Sequence, residues 1–310
     1  GQDIANNKTK IRSTGVYTLY IKDATAETII DGLYIEAPDV SGTEVVAVRV
    51  ENSSSAVTIS NCYINTDGAI NAPDKSYGIK LDGSFINIKN NTIFANNATS
   101  QSYAIYSVSS GNPTINDNIL TSRQAEKCGP VFSYLSNIKV TNNSLSASAC
   151  SIETYGIFIQ YGEVNIAQNK IIFTNDSYAY GIWVFESNST IVNNIVDISN
   201  ASGNVTGIKI HSISTSSICK LYNNTVLIGS SGGSSNVYGT SLAGPLDLEM
   251  KNNIISLTQG NSRVDLYQAA GSGTKTFAYN CTWTNGGTYN IGTADNNIQA
   301  DPQLETTYYR

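Results

Sequence analysis

Apolar and polar positions repeat in one short phrase along nearly the whole chain: apolar, two free positions, Asn, one free position, apolar. It reads Ile88-Lys89-Asn90-Asn91-Thr92-Ile93, and returns at Ile115 to Leu120, Val140 to Leu145, Ile166 to Ile171, Ile191 to Val196, Leu221 to Val226 and Met250 to Ile255. Diverged copies fall at Ile30 to Ile35, Ile59 to Ile64 and Ala278 to Trp283. A second phrase follows within each repeat, as in Tyr77-Gly78-Ile79-Lys80-Leu81, Tyr103-Ala104-Ile105-Tyr106, Tyr155-Gly156-Ile157-Phe158-Ile159, Tyr180-Gly181-Ile182-Trp183-Val184 and Thr206-Gly207-Ile208-Lys209-Ile210. Its period-2 alternation predicts a strand with one buried face.

Aligning the phrases places Leu33, Cys62, Asn91, Asn118, Asn143, Asn169, Asn194, Asn224, Asn253 and Cys281 in one column, with steps of 25 to 30 residues. Repeats of this length mark a solenoid. The leucine-rich signature is absent, and so is helical periodicity. The spacing predicts an all-β, single-stranded right-handed parallel β-helix of about ten coils, each with at least two strands and polar turns. Stacked about 4.8 Å apart, ten coils make a rod about 45–50 Å long. The Asn column predicts an internal asparagine ladder. A tight inward bend exposes backbone polar groups, an amide can both donate and accept, and identical amides on successive coils can bond one another. Leu33, Cys62 and Cys281 are expected to end the ladder in the outer coils.

Composition narrows the function only a little. Charged residues are 14% of the 310, and the net charge is −6. No Lys/Arg cluster is visible, which argues against a nucleic-acid partner. An acidic polysaccharide would be repelled in bulk, although a local basic patch could overcome that. No stretch reaches the length of a transmembrane helix. Gly1-Gln2-Asp3-Ile4 carries no signal region and reads as a mature or trimmed terminus.

The Asn-Asn-x-Ile phrase with its Gly-Ile-x-Val partner resembles the pectate-lyase-like right-handed parallel β-helix superfamily, and especially the β-helix-repeat proteins of bacterial surfaces. The resemblance covers residues 15 to 285. The segment Asn296-Asn297-Ile298-Gln299-Ala300-Asp301-Pro302-Gln303-Leu304 resembles the stretch that ends the helical region in many secreted members. The organisation expected is one domain over 1–310: an N-terminal extension or cap at 1–14, coils at 15–285 and a closing segment at 286–310. The resemblance implies an extracellular, cell-surface or periplasmic location. It also implies a short amphipathic cap, which Gly1 to Thr14 does not display. Either the cap is irregular or flanking parts lie outside this chain.

Five cysteines are present. Cys62, Cys219 and Cys281 read as small inward residues. Cys128 and Cys150 fall in loops before the second-phrase strands of adjacent coils. They are disulfide candidates, although their positions are four residues out of register.

The second-phrase strands stack into a sheet, and its outward columns can be read. One runs Arg49, Lys80, Tyr106, Phe132, Phe158, Trp183, Lys209, Ser241. The next runs Glu51, Asp82, Val108, Tyr134, Gln160, Phe185, His211, Ala243. This requires Pro130 to align with Gly156. Tyr106, Phe132, Phe158 and Trp183 then form an aromatic stripe with Tyr134 and Phe185 beside it. A patch of this kind points to a binding surface, or to a satellite core beneath a loop. Catalysis has weaker support. Polygalacturonase-like members use a Gly-His-Gly segment, absent here. Lyases use clustered carboxylates for calcium with an Arg or Lys base, for which Arg49, Glu51, Lys80 and Asp82 are the candidates, or they are cross-strand ion pairs. His211, the only histidine, and Glu186 are further weak candidates. The leading expectation is a non-catalytic surface or secreted protein that binds a glycan or partner through the stripe. The alternatives are a polysaccharide lyase or hydrolase, and a stalk or adhesin segment. No cofactor or metal site is read from the sequence; calcium would enter only with a lyase.

Overall fold

The computed structural model describes residues 9–303 apart from 14, 38–42, 67–71, 110, 175–177, 200, 214–216, 230–235, 270 and 292. The start of the expected N-terminal cap and Leu304 of the closing segment lie outside the described residues. The chain is a parallel β-solenoid. Every strand pairs with its counterpart one coil away in parallel register, as Tyr106 does with Phe132 and Phe132 with Phe158. Twelve short strands, among them Thr92–Ala95, Ser144–Ser148 and Thr225–Ile228, form one sheet. Two further strand segments per coil complete the circuit. They merge into single 15-residue strands at Glu153–Ala167 and Tyr178–Val192, so each coil has three faces, in keeping with the expected minimum of two strands.

Inside, Ile and Val stack in columns. Ile88, Ile115, Val140, Ile166, Ile191 and Leu221 follow one another with no exposed surface. β-Branched side chains suit this pleated, fully buried surface. The Asn ladder turns the chain between two faces. Asn91, Asn118, Asn143, Asn169, Asn194, Asn224, Asn253 and Asn280 each donate from Nδ2 to Oδ1 of the next member at 2.9–3.1 Å, ending on Asn297. The same Oδ1 accepts the backbone N–H of the preceding ladder residue, as Asn169 does from Asn143 at 3.0 Å. The residue before each rung is left-handed: Asn90, Asp117, Asn142, Gln168, Asn193 and Asn223 have φ of 55–58°. Asn and Asp tolerate that region better than most residues. The doubled Asn therefore has two jobs, one residue making the bend and the other bonding across it.

The last coil corrects the sequence alignment. Asn280, not Cys281, occupies the ladder, and Met250 pairs with Phe277 while Ile255 pairs with Thr282. Ala278 and Trp283 are apolar and mimic the phrase one residue out of frame. The inward pair is Phe277 and Thr282, and a one-residue slip moves every side chain to the other face. Cys281 is consequently partly exposed, whereas Cys62 and Cys219 are buried. Cys62 does end the ladder at the other side, its N–H donating to Asn91 Oδ1.

Cys128 and Cys150 form a disulfide, with Cα atoms 5.8 Å apart. Cys128 is an inward residue of the strand Lys127–Tyr134, and Cys150 follows the left-handed Ala149. That turn brings Cys150 inward beneath Cys128 and absorbs the offset in register. At the C-terminal end, Asp265 occupies the inward position that is Gly239 one coil earlier. Its carboxylate accepts the N–H groups of Leu266, Asn290 and Ile291 and ties the closing segment across the solenoid. Burial raises this carboxyl above its ordinary value, against the backbone donors that lower it.

Candidate functional site

The pairing places both outward columns in the expected register, including Pro130 opposite Gly156. Arg49, Lys80, Tyr106, Phe132, Phe158, Trp183, Lys209 and Ser241 succeed one another across the sheet. So do Glu51, Asp82, Val108, Tyr134, Gln160, Phe185, His211 and Ala243.

A third column joins them that sequence reasoning missed. Tyr77, Tyr103, Tyr155 and Tyr180, the first residues of the second phrase, share the outer face with the stripe. Strict alternation would not put residues three apart on one face. The intervening Gly makes it possible. At Gly78 a side chain would meet Ile93 at 2.4 Å and the Ala104 carbonyl at 2.6 Å, so this position is pressed inward together with Ile79. Two consecutive inward residues act as a bulge and return Tyr77 and Lys80 to the same side. The signal was legible in the repeated Tyr-Gly-Ile.

The two aromatic columns pack on each other. Tyr77 stacks on Tyr106 at 4.7 Å, Tyr106 on Phe132 at 5.1 Å, and Phe158 on Trp183 at 4.7 Å between ring centroids. Phe132 meets Phe158 edge to face. Tyr77, Tyr103 and Tyr155 are buried, while Tyr106, Phe132, Phe158, Tyr180 and Trp183 keep part of their surface in solvent. Burial raises the phenols of Tyr103, Tyr106 and Tyr180 above their ordinary value, so they stay protonated donors at neutral pH. Cations bound the tract. Lys80 lies 5.9 Å from the Tyr106 ring, and Lys209 only 3.6 Å from that of Trp183. Trp183 Nε1 is buried and has no hydrogen-bond partner among the described residues.

The carboxylate and basic candidates form ion pairs. Arg49 bonds Glu51 at 2.8 Å, approaches Asp82 at 3.9 Å and donates to the Tyr17 hydroxyl. Lys80 instead turns to Glu44 at 2.7 Å. Tyr20 also donates to Glu51 at 2.7 Å, and this hydrogen bond, with Arg49 and Lys22 nearby, lowers the carboxyl below its usual range. His211 packs edge-on against Phe185, and burial with the neighbouring Lys209 lowers its imidazole. Glu186 is left-handed and caps the Ile213 N–H. Among the described residues no group of three or more His, Cys, Asp and Glu side chains is placed to hold a metal. No helix is long and apolar enough to cross a membrane among the same residues.

A parallel solenoid with a continuous amide ladder and an aromatic outer column defines a β-helix protein. The family model described as right handed beta helix region matches residues 77–255, more than half of the chain, and the chain belongs to that family. Among solved structures it is similar to the Dettilon tailspike protein (gp208), at 12% identity and a TM-score of 0.28, over 89% of this chain. It spans 63% of the length of that chain. No curated protein matches it in sequence.

Proposed function

We propose that this protein works outside the cytoplasm and binds a glycan or surface partner through the aromatic tract of Tyr106, Phe132, Phe158 and Trp183, flanked by Tyr134 and Phe185. One observation carries the reading. In a single outward column, four consecutive central coils bear aromatics, bordered by Arg49 and Lys80 on one side and by Lys209 and Ser241 on the other, with single tyrosines, Tyr20 and Tyr267, on the next coils out. Outward positions need no aromatic for folding, as those flanking coils demonstrate. Clustered ring surface with charged borders is the composition of a binding face. The location fits the buried disulfide, since such bridges persist in oxidising compartments.

The ring stacking favours a second reading, in which the tract is a satellite core stiffening a stalk. Trp183→Ala separates the two. Trp183 touches Tyr155, Phe158 and Tyr180, so the loss of these contacts costs about 1–2 kcal/mol. The binding reading expects the folded variant to lose its signal on a glycan array that the wild type labels. Unchanged labelling, or no labelling of the wild type by any glycan together with a fall in stability, supports the stalk.

A further inference from the structure

We infer that the C-terminal end of the aromatic tract is a site for a trimethylammonium group, and that Lys209 occupies this site in the free protein. The inference rests on the tract being a binding face, as proposed above, and names a group that its ligand carries. Lys209 stands one coil beyond Trp183 in the outward column. Its ammonium lies 3.6 Å from the Trp183 ring centroid and 4.6 Å from that of Tyr180. Both fall inside the reach of a cation–π contact, about 6 Å. Among the described residues Lys209 makes no ion pair. Lys80, at the other end of the tract, differs. It lies 5.4 and 5.9 Å from the Tyr77 and Tyr106 rings, and it bonds both carboxylate oxygens of Glu44. A carboxylate holds Lys80, whereas two rings hold Lys209.

An ammonium is a poor occupant of such a place. It has three N–H donors, and ring faces offer them no lone-pair acceptor. Burial lowers the Lys209 amine below the ordinary lysine value, against the Glu153 carboxylate that raises it. A trimethylammonium carries the same charge with no N–H to leave unpaired, so ring faces satisfy it better. Returning Lys209 to water restores its lost hydration and offsets part of the exchange.

The register supplies the room. Phe158 stacks against Trp183 from the preceding coil at 4.7 Å. On the following coils Trp183 is succeeded by Lys209 and Ser241, and Tyr180 by Thr206 and Tyr238. Thr206 and Ser241 are small and buried. Tyr180 and Tyr238 therefore stand two strand spacings apart, about 9.6 Å. Tyr238 is backed by Tyr267, their ring centroids 4.7 Å apart. A cation midway between the two positions is about 4.8 Å from each, within range of both. With Lys209 swung out, Tyr180, Trp183 and Tyr238 border a space floored by Thr206 and Ser241.

Saturation-transfer NMR of the intact chain titrated with choline tests the site. The neutral alcohol in which carbon replaces the choline nitrogen controls for shape. Choline should bind, and the alcohol at least about tenfold more weakly. Lys209→Ala should strengthen choline binding about tenfold, equal to about 1.4 kcal/mol, because the ligand no longer displaces a competitor. Lys209→Arg keeps the charge and should bind no tighter than the wild type. Trp183→Phe keeps a ring beside Phe158 and should weaken binding, since indole is the best cation–π partner. Co-sedimentation with phosphatidylcholine vesicles would assign the group to a lipid headgroup, and choline binding without it to a soluble or glycan-borne ammonium. The inference is overturned if neither the wild type nor Lys209→Ala binds choline, if the alcohol binds equally well, or if Lys209→Ala fails to strengthen binding. The tract reading fails separately, on array labelling that survives Trp183→Ala.

Discussion

Asn169→Ala should destabilise the protein by about 3 kcal/mol. Asn169 sits in the middle of the ladder and is 1% exposed. Its Oδ1 accepts the backbone N–H and the side-chain amide of Asn143, both at 3.0 Å. Its Nδ2 donates to the carbonyls of Val140 and Ala167 and to Asn194 Oδ1. Alanine removes all of these and leaves the buried Asn143 N–H without its acceptor. An orphaned buried donor costs about 1–3 kcal/mol, and the lost carbonyl bonds and the cavity add to it. Asn165→Ala, an outward residue of the strand that leads into this turn, is the control and should change stability by less than about 0.5 kcal/mol. Urea titration of both variants checks the difference. Equal effects would mean that the ladder is not what holds the bend.

The second large effect belongs to the disulfide. Cys128 and Cys150 enclose a loop of 22 residues. In the chain-entropy account such a loop contributes roughly 3 kcal/mol by restricting the unfolded chain. The double variant Cys128→Ser/Cys150→Ser should lose about that much. The unfolded wild type should show three reactive thiols without reductant, those of Cys62, Cys219 and Cys281. In the folded protein Cys281 should react first, since Cys62 and Cys219 are buried and burial pushes the Cys219 thiol up to about 11. Five reactive thiols after denaturation would contradict the bridge.

The architecture was legible because the repeat is strict where the physics is strict. Ladder members from Asn91 to Asn253 each need an inward apolar residue on either side, so residue type and spacing rise together. The outward columns followed from alternation once that frame was fixed. Legibility failed where a local rule was broken. In the last coil Thr282 takes an inward place that the pattern reserves for an apolar residue, and the frame slid to Ala278 and Trp283. The tyrosine column was missed because the bulge at Gly78 and its equivalents puts residues three apart on one face. The contact between Cys128 and Cys150 depended on the turn at Ala149, which no periodicity announces. The Arg49, Glu51, Lys80 and Asp82 group could be placed from the columns, but the turn of Lys80 toward Glu44 is a matter of side-chain conformation.

Hydroxyl-radical footprinting of the intact chain, with and without a glycan that labels it on an array, tests the binding surface most directly. The account predicts that the glycan protects Tyr106, Phe132, Phe158 and Trp183 together, while oxidation of the other tryptophan, Trp283, stays unchanged. Unaltered oxidation of those four rings in the presence of saturating glycan, with protection elsewhere on the chain, would contradict it.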